Sequence, residues 1–232
     1  MFERESHMKP IVRAWMESKG LTVKEEFPSH VGICDLAGCR LRRAAMAARV
    51  REGQLKAIGP LVRVHIWEHI PNDGEHRTVS VAALVSLHHG LLSHERVLQE
   101  LGRLEQRGFI RRTSAGTYQK VNGWHPLHAR LVAVELKLRD WQNALRQAAR
   151  YFVCVDESYV ALPEEQVDVA LGADGGALFR KSGVGLLAVT GGGRVRTVMK
   201  SYWRRRRTRS ERAPVTHAAE RFWRDAARGR TA

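Results

Sequence analysis

Cysteine is scarce in this sequence and odd in number. Cys34, Cys39 and Cys154 are the only ones among 232 residues, which argues against a disulfide framework and fits reduced thiols in the cytoplasm. Cys34 and Cys39 stand close enough to begin a zinc site, but no second pair follows at ligand spacing, so all three read as small buried apolar residues. Long apolar runs are missing too. Stretches such as Leu131–Val134 and Val184–Val189 fall far short of the roughly 20 residues that span a bilayer. The N-terminus shows no apolar stretch ahead of a small-residue cleavage site, so no signal peptide is expected and the cytoplasm is the expected compartment. Acidic residues are outnumbered: 24 Asp and Glu stand against 39 Lys and Arg, giving a net charge of +15 and a pI near 10.6. That balance points to a polyanionic partner, because each cation near a phosphate releases condensed counterions. Nucleic acid is expected before any membrane surface.

What is present supports a globular protein. An apolar content of 44% is ordinary, and the length suits one large domain or two small ones. Residues 4–19 carry Ile11, Val12, Trp15 and Met16 on one helical stripe, with Gly20 placed as a C-cap. Leu21–Phe27 and Val31–Leu36 read as strands. Residues 41–56 look helical and basic, and 60–70 form another helical segment. Pro71-Asn72-Asp73-Gly74 is a turn, Val79–His88 a short helix, and Ser93 a good N-cap for a helix running to about Arg107. Phe109–Arg112 and Thr117–Val121 then make a hairpin around Ser114-Ala115-Gly116. Leu131–Lys137 is apolar on both faces until it meets charge, as a buried central strand is. A helix over 140–151, a strand at Ser158–Leu162, a helix over 164–171 and a hairpin of Gly183–Val189 with Arg194–Met199 complete the pattern. A final helix is expected at 214–228.

Glu135 and Lys137, two residues apart on that central strand, share a face. Charges at the end of a buried strand are costly unless paired or metal-bound. Asp35 ends another apolar strand. Two carboxylates with a carbonyl oxygen suit a hard cation such as Mg²⁺, and a neighbouring lysine suits either polarising water or stabilising phosphorane charge.

Around these residues the chain resembles the PD-(D/E)XK, or restriction-endonuclease-like, nuclease superfamily. The match is closest over V-A-V-E-L-K-L-R-D-W-Q-N-A-L-R-Q-A-A-R-Y, from Val132 to Tyr151, and the following S-Y-V-A-L-P. It rests on the E-x-K triplet after an apolar strand, Trp141 four residues on, and Gln147 with Tyr151 one helical turn apart. The N-terminal helix, the strand into Val31-Gly32-Ile33-Cys34-Asp35 and the G-V-G-L-L-A-V strand fit the same core, over roughly residues 3–40 and 125–200. The resemblance implies an α/β fold: a restriction-endonuclease-like core with a mixed central sheet flanked by helices. It implies Asp35, Glu135 and the Leu136 carbonyl as ligands of Mg²⁺ or Mn²⁺, Lys137 as catalytic lysine, and Gln147 and Tyr151 as groups that orient substrate or water. Glu5 matches an extra carboxylate near the metal, with Glu25 and Glu26 as competitors. Two departures stand out. About 85–90 residues replace the family's short link between its aspartate and E-x-K strands, and Asp35 lies in I-C-D-L rather than after a proline.

The inserted stretch resembles a winged helix-turn-helix, through the L-x-x-L-E-x-R-G-F-I-R-R pattern at 101–112. Such a module implies a recognition helix presenting His94, Glu95, Arg96, Gln99 and Arg103 to the major groove, with Arg111, Arg112 and Lys120 on the wing near the backbone. Protein contact or dimerisation is the other use of such modules. His65, His69, His88, His89, His94, His125 and His128 lack Cys or Asp partners at ligand spacing, so they read as surface or phosphate-contacting residues rather than a zinc site. Arg204, Arg205, Arg206 and Arg207, with Arg209 and Arg212, follow Tyr202 and Trp203. They read as a basic tail that grips phosphate while the aromatics stack on a base, or as a plain solvated tail. The expected organisation is a discontinuous nuclease-like core (1–40 and 123–200), a winged insertion (41–122) and an arginine-rich tail (201–232). The expected activity is metal-dependent DNA endonuclease cleavage of duplex or branched DNA. The alternatives are a non-cleaving DNA-binding regulator or assembly factor on a degraded nuclease fold, and an RNA-directed or junction-specific enzyme. Since many members of this fold dimerise to cut both strands, the resemblance also admits a homodimer.

Overall fold

A computed structural model describes residues 2–121, 127–172, 174–204 and 208–228, with side chains to residue 223 in the last helix. In chain order the elements are α1 (Lys9–Ser18), β1 (Thr22–Ser29), β2 (Gly32–Leu41), α2 (Arg43–Arg51), α3 (Leu61–His69), α4 (Val81–Leu87), α5 (His94–Gln106), β3 (Ile110–Arg112), β4 (Tyr118–Lys120), β5 (His128–Leu136), α6 (Trp141–Tyr151), β6 (Glu157–Pro163), α7 (Val167–Leu171), α8 (Gly175–Ser182), β7 (Gly185–Val189), β8 (Val195–Met199) and α9 (Arg209–Arg228). They form two compact units. The first joins residues 1–40 to 129–205, and the second joins 41–128 to 206–232.

The first unit is α/β. Its mixed six-stranded sheet runs β1-β2-β5-β6-β7-β8. β1 and β2 are antiparallel, β5, β6 and β7 are parallel, and β8 returns antiparallel at the edge. Alternation along the central strands sends side chains to both faces, so both must be covered. Val132, Val134 and Leu136 of β5 pack beneath Met8, Val12 and Met16. Val160 and Leu162 of β6 pack on the other face with Ala144 and Ala148 of α6, Ala170 of α7 and Phe179 of α8. β2 runs further than expected because Gly38 continues it. A Cβ there would lie 2.7 Å from Met16 Cε and 3.0 Å from Leu21 Cδ1, so glycine lets these side chains approach the strand. The helix α8 was not expected. Gly175 and Gly176 hide its start, and the first is required because a Cβ would meet the Ala170 carbonyl oxygen at 1.9 Å.

The second unit places α3, α4 and α5 around one core of Val64, Ile66, Trp67, Leu84, Leu101 and Leu104, closed by Phe109 and Tyr118 of the β3–β4 hairpin region. Ser80 and Ser93 cap α4 and α5, each hydroxyl accepting an amide N–H of the first turn. α2 ends at Arg51, five residues short of the expected boundary. Two expectations for this unit are corrected. Residues 209–212 are not a solvated tail: the helix expected at 214–228 is present as α9 but begins five residues earlier, at Arg209, and it buries Ala213, Val215, Ala219, Phe222 and Trp223. The arginines mask its start in the sequence. Lys120 is not an exposed wing residue: it is buried, with Nζ 3.9 Å from the centre of the Trp67 ring, and burial lowers its pKa to about 8. With its charge held on an aromatic face, it has no free ammonium for phosphate.

His65, His69 and His88 do gather. The His88 ring meets those of His69 and His65 edge-on at 5.1 and 6.4 Å, and His88 Nε2 is buried without a hydrogen-bond partner. Burial first, then the charges of His69 and His65, lower the His88 pKa. A depressed histidine stabilises the fold above its unfolded pKa of about 6.5 and loses that contribution as pH falls through the folded value. His88→Leu is therefore expected to flatten the decline in thermal stability between pH 7 and pH 5, read by circular dichroism melts. An unchanged acid limb would show that His88 does not carry it.

Candidate active site

The site lies at the C-terminal end of β5, where the chain leaves the sheet for α6. A buried central strand must stop being apolar where it meets solvent, and here the switch is Glu135-Leu136-Lys137. Glu135 is 4% exposed although ionisable, which marks it as held rather than accidental. Its Oε1 lies 3.4 Å from Lys137 Nζ and its Oε2 lies 3.0 Å from the Tyr151 hydroxyl. Lys137 Nζ is also 3.4 Å from Glu5 Oε2. Asp35 enters from β2: its Oδ2 accepts the Leu136 amide N–H at 2.7 Å. The next amide, Lys137 N–H, donates to Ala161 of β6. Alternation along a strand therefore turns the N–H and C=O of Leu136 toward β2, the side from which Asp35 comes.

The electrostatics follow from that crowding. Burial pushes the Glu135 carboxyl up to about 7, and the Asp35 charge pushes the same way. The Tyr151 hydrogen bond and Lys137 only partly oppose them. Asp35 is raised too, by burial, against the Leu136 amide and Lys137. Lys137 is raised: burial works against its charge, but Glu135, Glu5 and Asp35 outweigh it. Tyr151 is raised by burial and by Glu135. Its one proton has two acceptors, Ile33 O at 2.7 Å and Glu135 at 3.0 Å. The shared proton ties Glu135 to β2 through Tyr151 but satisfies its carboxylate only in part. Two carboxylates are thus forced together with less positive charge than they need, which is the condition a divalent cation relieves.

No family model, curated protein or solved structure matches the chain.

Asp35, Glu135, Lys137, Tyr151 and Glu5 are brought together, and the Leu136 backbone lies among them. The three competing acids of the N-terminal region separate cleanly. Glu25 pairs with Arg13 and Glu26 with Lys9, leaving Glu5 to Lys137. Gln147 does not join the hydrogen-bonded cluster: its Oε1 is buried one turn before Tyr151 and meets no donor. Trp141 of the motif stacks on Phe179 with centroids 6.0 Å apart, a packing role. Among the described residues no three His, Cys, Asp or Glu side chains group to hold a metal ion. Any metal here rests on two carboxylates and a carbonyl. That sparse set suits Mg²⁺, which keeps several waters and takes further oxygens from a phosphate substrate. Beside the site a cleft of about 700 Å³ opens between Glu3, Glu5, Arg139, Asp140, Pro163 and Glu165. Its acids repel a phosphate unless a cation intervenes.

The DNA-contact candidates divide. Gln99 and Arg112 are exposed. Arg111 is exposed and donates to Gln119 at 3.1 Å. Arg96 and Arg103 reach outward, but each holds an oxygen of the fully buried Glu100 at 2.9 Å, and the buried Arg63 takes its other oxygen at 2.6 Å. Sequence reading missed this hub. Its signal was present, since Arg96 and Arg103 sit four before and three after Glu100. Arg204 is exposed, while Arg205, Arg206 and Arg207 lie outside the described residues. All three cysteines are buried, as expected. No described helix is long and apolar enough to cross a membrane.

Proposed function

We propose that the chain is a metal-dependent DNA endonuclease of the restriction-endonuclease-like type, carrying a winged helix-turn-helix module that holds the duplex. The observation that carries this reading is the convergence of Asp35 and Glu135, both with raised pKa, on the Leu136 backbone beside Lys137. Asp35, Glu135 and the Leu136 carbonyl would hold Mg²⁺ or Mn²⁺, which supplies Lewis-acid charge to a phosphoryl oxygen and acidifies a bound water. The chain's own residues do the rest. Lys137 keeps its proton, so it acts as a fixed cation toward developing phosphorane charge rather than as a base. Glu5 orients that ammonium. Tyr151, anchored on Ile33, fixes the Glu135 carboxylate. The helix–helix–helix–hairpin order of the second unit and the net charge of +15 support the DNA-holding role.

Cleavage of labelled supercoiled, linear, single-stranded and branched DNA in Mg²⁺, Mn²⁺ or EDTA tests the proposal. Cutting is expected with metal only, and Lys137→Ala is expected to reduce it by about 10²–10³-fold, as loss of one stabilising donor does elsewhere. Wild-type protein that binds these DNAs and cuts none with either metal would overturn the reading. A non-cleaving DNA-binding regulator or assembly factor is then the better account. The acids of the cleft beside Lys137 favour that second reading, and it predicts salt-sensitive, metal-independent binding.

A further inference from the structure

Tyr202 and Trp203 are the two large aromatic side chains that the first unit leaves open, at 62% and 51% exposure. Exposed aromatics on a loose tail carry little information, but these sit on a fixed strap. Tyr202 N–H donates to Gly183 O at 2.8 Å and Arg204 N–H to Asp156 O at 3.0 Å. Just before them Ser201 Oγ accepts the Ser158 amide at 3.0 Å and donates to Gly183 O at 3.2 Å. The segment is therefore tied to the starts of both β6 and β7. Tyr202 rests on Gly183: a Cβ there would stand 3.0 Å from its Cδ2 and 3.4 Å from its Cγ. One side of the ring is thus backed by a residue with no side chain, and the ring stays open to solvent elsewhere. Trp203, the next residue, is exposed as well and offers a second aromatic surface.

The sequence leading into the strap is basic, and the acids nearest it in the fold, Asp156 and Glu157, are buried, Glu157 against Arg130; Arg196 lies 3.7 Å from Glu164. From Gly175 to Arg204 the sequence has six Lys and Arg (Arg180, Lys181, Arg194, Arg196, Lys200 and Arg204) and no Asp or Glu. An apolar protein partner would not call for that field, whereas a strand of phosphates does. The cations serve duplex and single strand alike, but the aromatics discriminate. In a duplex the base faces are already stacked on one another, while in a single strand they are free to lie on a protein ring. Ser158 pairs in register with Ala133, so the strap lies about 7–13 Å along the strands from Glu135 and Lys137.

We propose that Tyr202 and Trp203 form a base-stacking platform for single-stranded DNA, so that the substrate carries an unpaired segment. This rests on the nuclease reading for its purpose but not for its test. Binding of a fluorescein-labelled oligo(dT) and of a blunt duplex of equal length is measured by anisotropy in EDTA for wild type, Tyr202→Ala, Trp203→Ala and Trp203→Phe, with thermal melts of each. Each alanine is expected to weaken oligo(dT) binding by about 5–100-fold and duplex binding by less than about twofold. Trp203→Phe is expected to keep most of the affinity, and wild-type tryptophan fluorescence to fall on binding oligo(dT). Equal losses on both DNAs, no loss on either, or no binding of oligo(dT) by wild type would overturn the platform. The two proposals separate: the stated pattern without cleavage in any metal defeats the nuclease and leaves the platform, and cleavage with unaltered alanine variants does the reverse.

Discussion

Glu135→Gln is expected to lower cleavage at least about 10³-fold and, in the same protein, to raise its stability. The first effect follows from the proposed role: an amide cannot supply the negative oxygen that holds a divalent cation, and about 4 kcal/mol of transition-state stabilisation corresponds to that factor. The second follows from the raised pKa. An unfolded glutamate titrates near 4.5, and in the fold burial and Asp35 push Glu135 up to about 7. The folded state therefore favours the protonated form. Its contribution is full below 4.5 and is lost as pH rises through 7. At pH 8 in EDTA the wild type bears nearly the whole penalty, on the order of 3 kcal/mol, the opposing charge of Lys137 being already contained in the shift. The neutral glutamine should escape it, raising Tm by about 6–12 °C. Added Mg²⁺ should raise the wild-type Tm at pH 8 and leave that of Glu135→Gln unchanged. A variant that still cuts would remove Glu135 from the chemistry. One that is inactive but no more stable than wild type would make the carboxylate a structural group.

The second large effect lies far from any chemistry. Arg49 and Glu220 are 3% and 1% exposed, and the guanidinium lies 2.5 Å from Glu220 Oε1, between the rings of Phe109 and Trp223. Glu220 Oε2 also accepts the Ile58 amide at 2.9 Å. Glu220→Ala leaves a buried cation without its carboxylate and a buried N–H without its acceptor. That should cost about 3–5 kcal/mol, a large part of the roughly 5–15 kcal/mol that stabilises a domain. Urea unfolding should show the loss. Glu220→Gln should lose less: its one amide oxygen, placed as Oε2 is, still accepts the Ile58 N–H and Arg49 Nη2, although its NH2 would face Arg49 Nη1. Equal losses for the two variants would place the effect in packing rather than in charge.

Much of the first unit was legible because its signals are local. The apolar stripe of α1 and the β5 run ending in Glu135-Leu136-Lys137 depend on neighbours a few residues away, as does the Ser93 cap of α5 in the second unit. Asp35 was legible as a strand-end carboxylate, but its bond to the Leu136 amide spans 101 positions, and no spacing rule reaches that far. What misled was composition. Glycines concealed α8, where close approach to Ala170 demands them. Arginines concealed only the start of α9, which was expected from residue 214 and whose apolar stripe begins at Ala213. Lys120 shows the limit of reading charge as exposure: its four-carbon stem is buried and its ammonium faces an indole ring.

The interleaving of the two units has a consequence for how the protein is made. The β1–β2 hairpin is complete once residue 41 is synthesised, but its sheet neighbour β5 begins only at His128. At about 5–20 residues per second the hairpin waits roughly 4–17 s on the ribosome. Throughout that interval the inner edge of β2 is an unpaired ladder of N–H and C=O groups, open to any passing strand. The second unit waits in turn for α9, which emerges last and brings Glu220 to the already synthesised Arg49. Slowing translation should therefore raise the insoluble fraction, and a chain released before residue 209 should hold an arginine in its interior with no counter-charge to receive it.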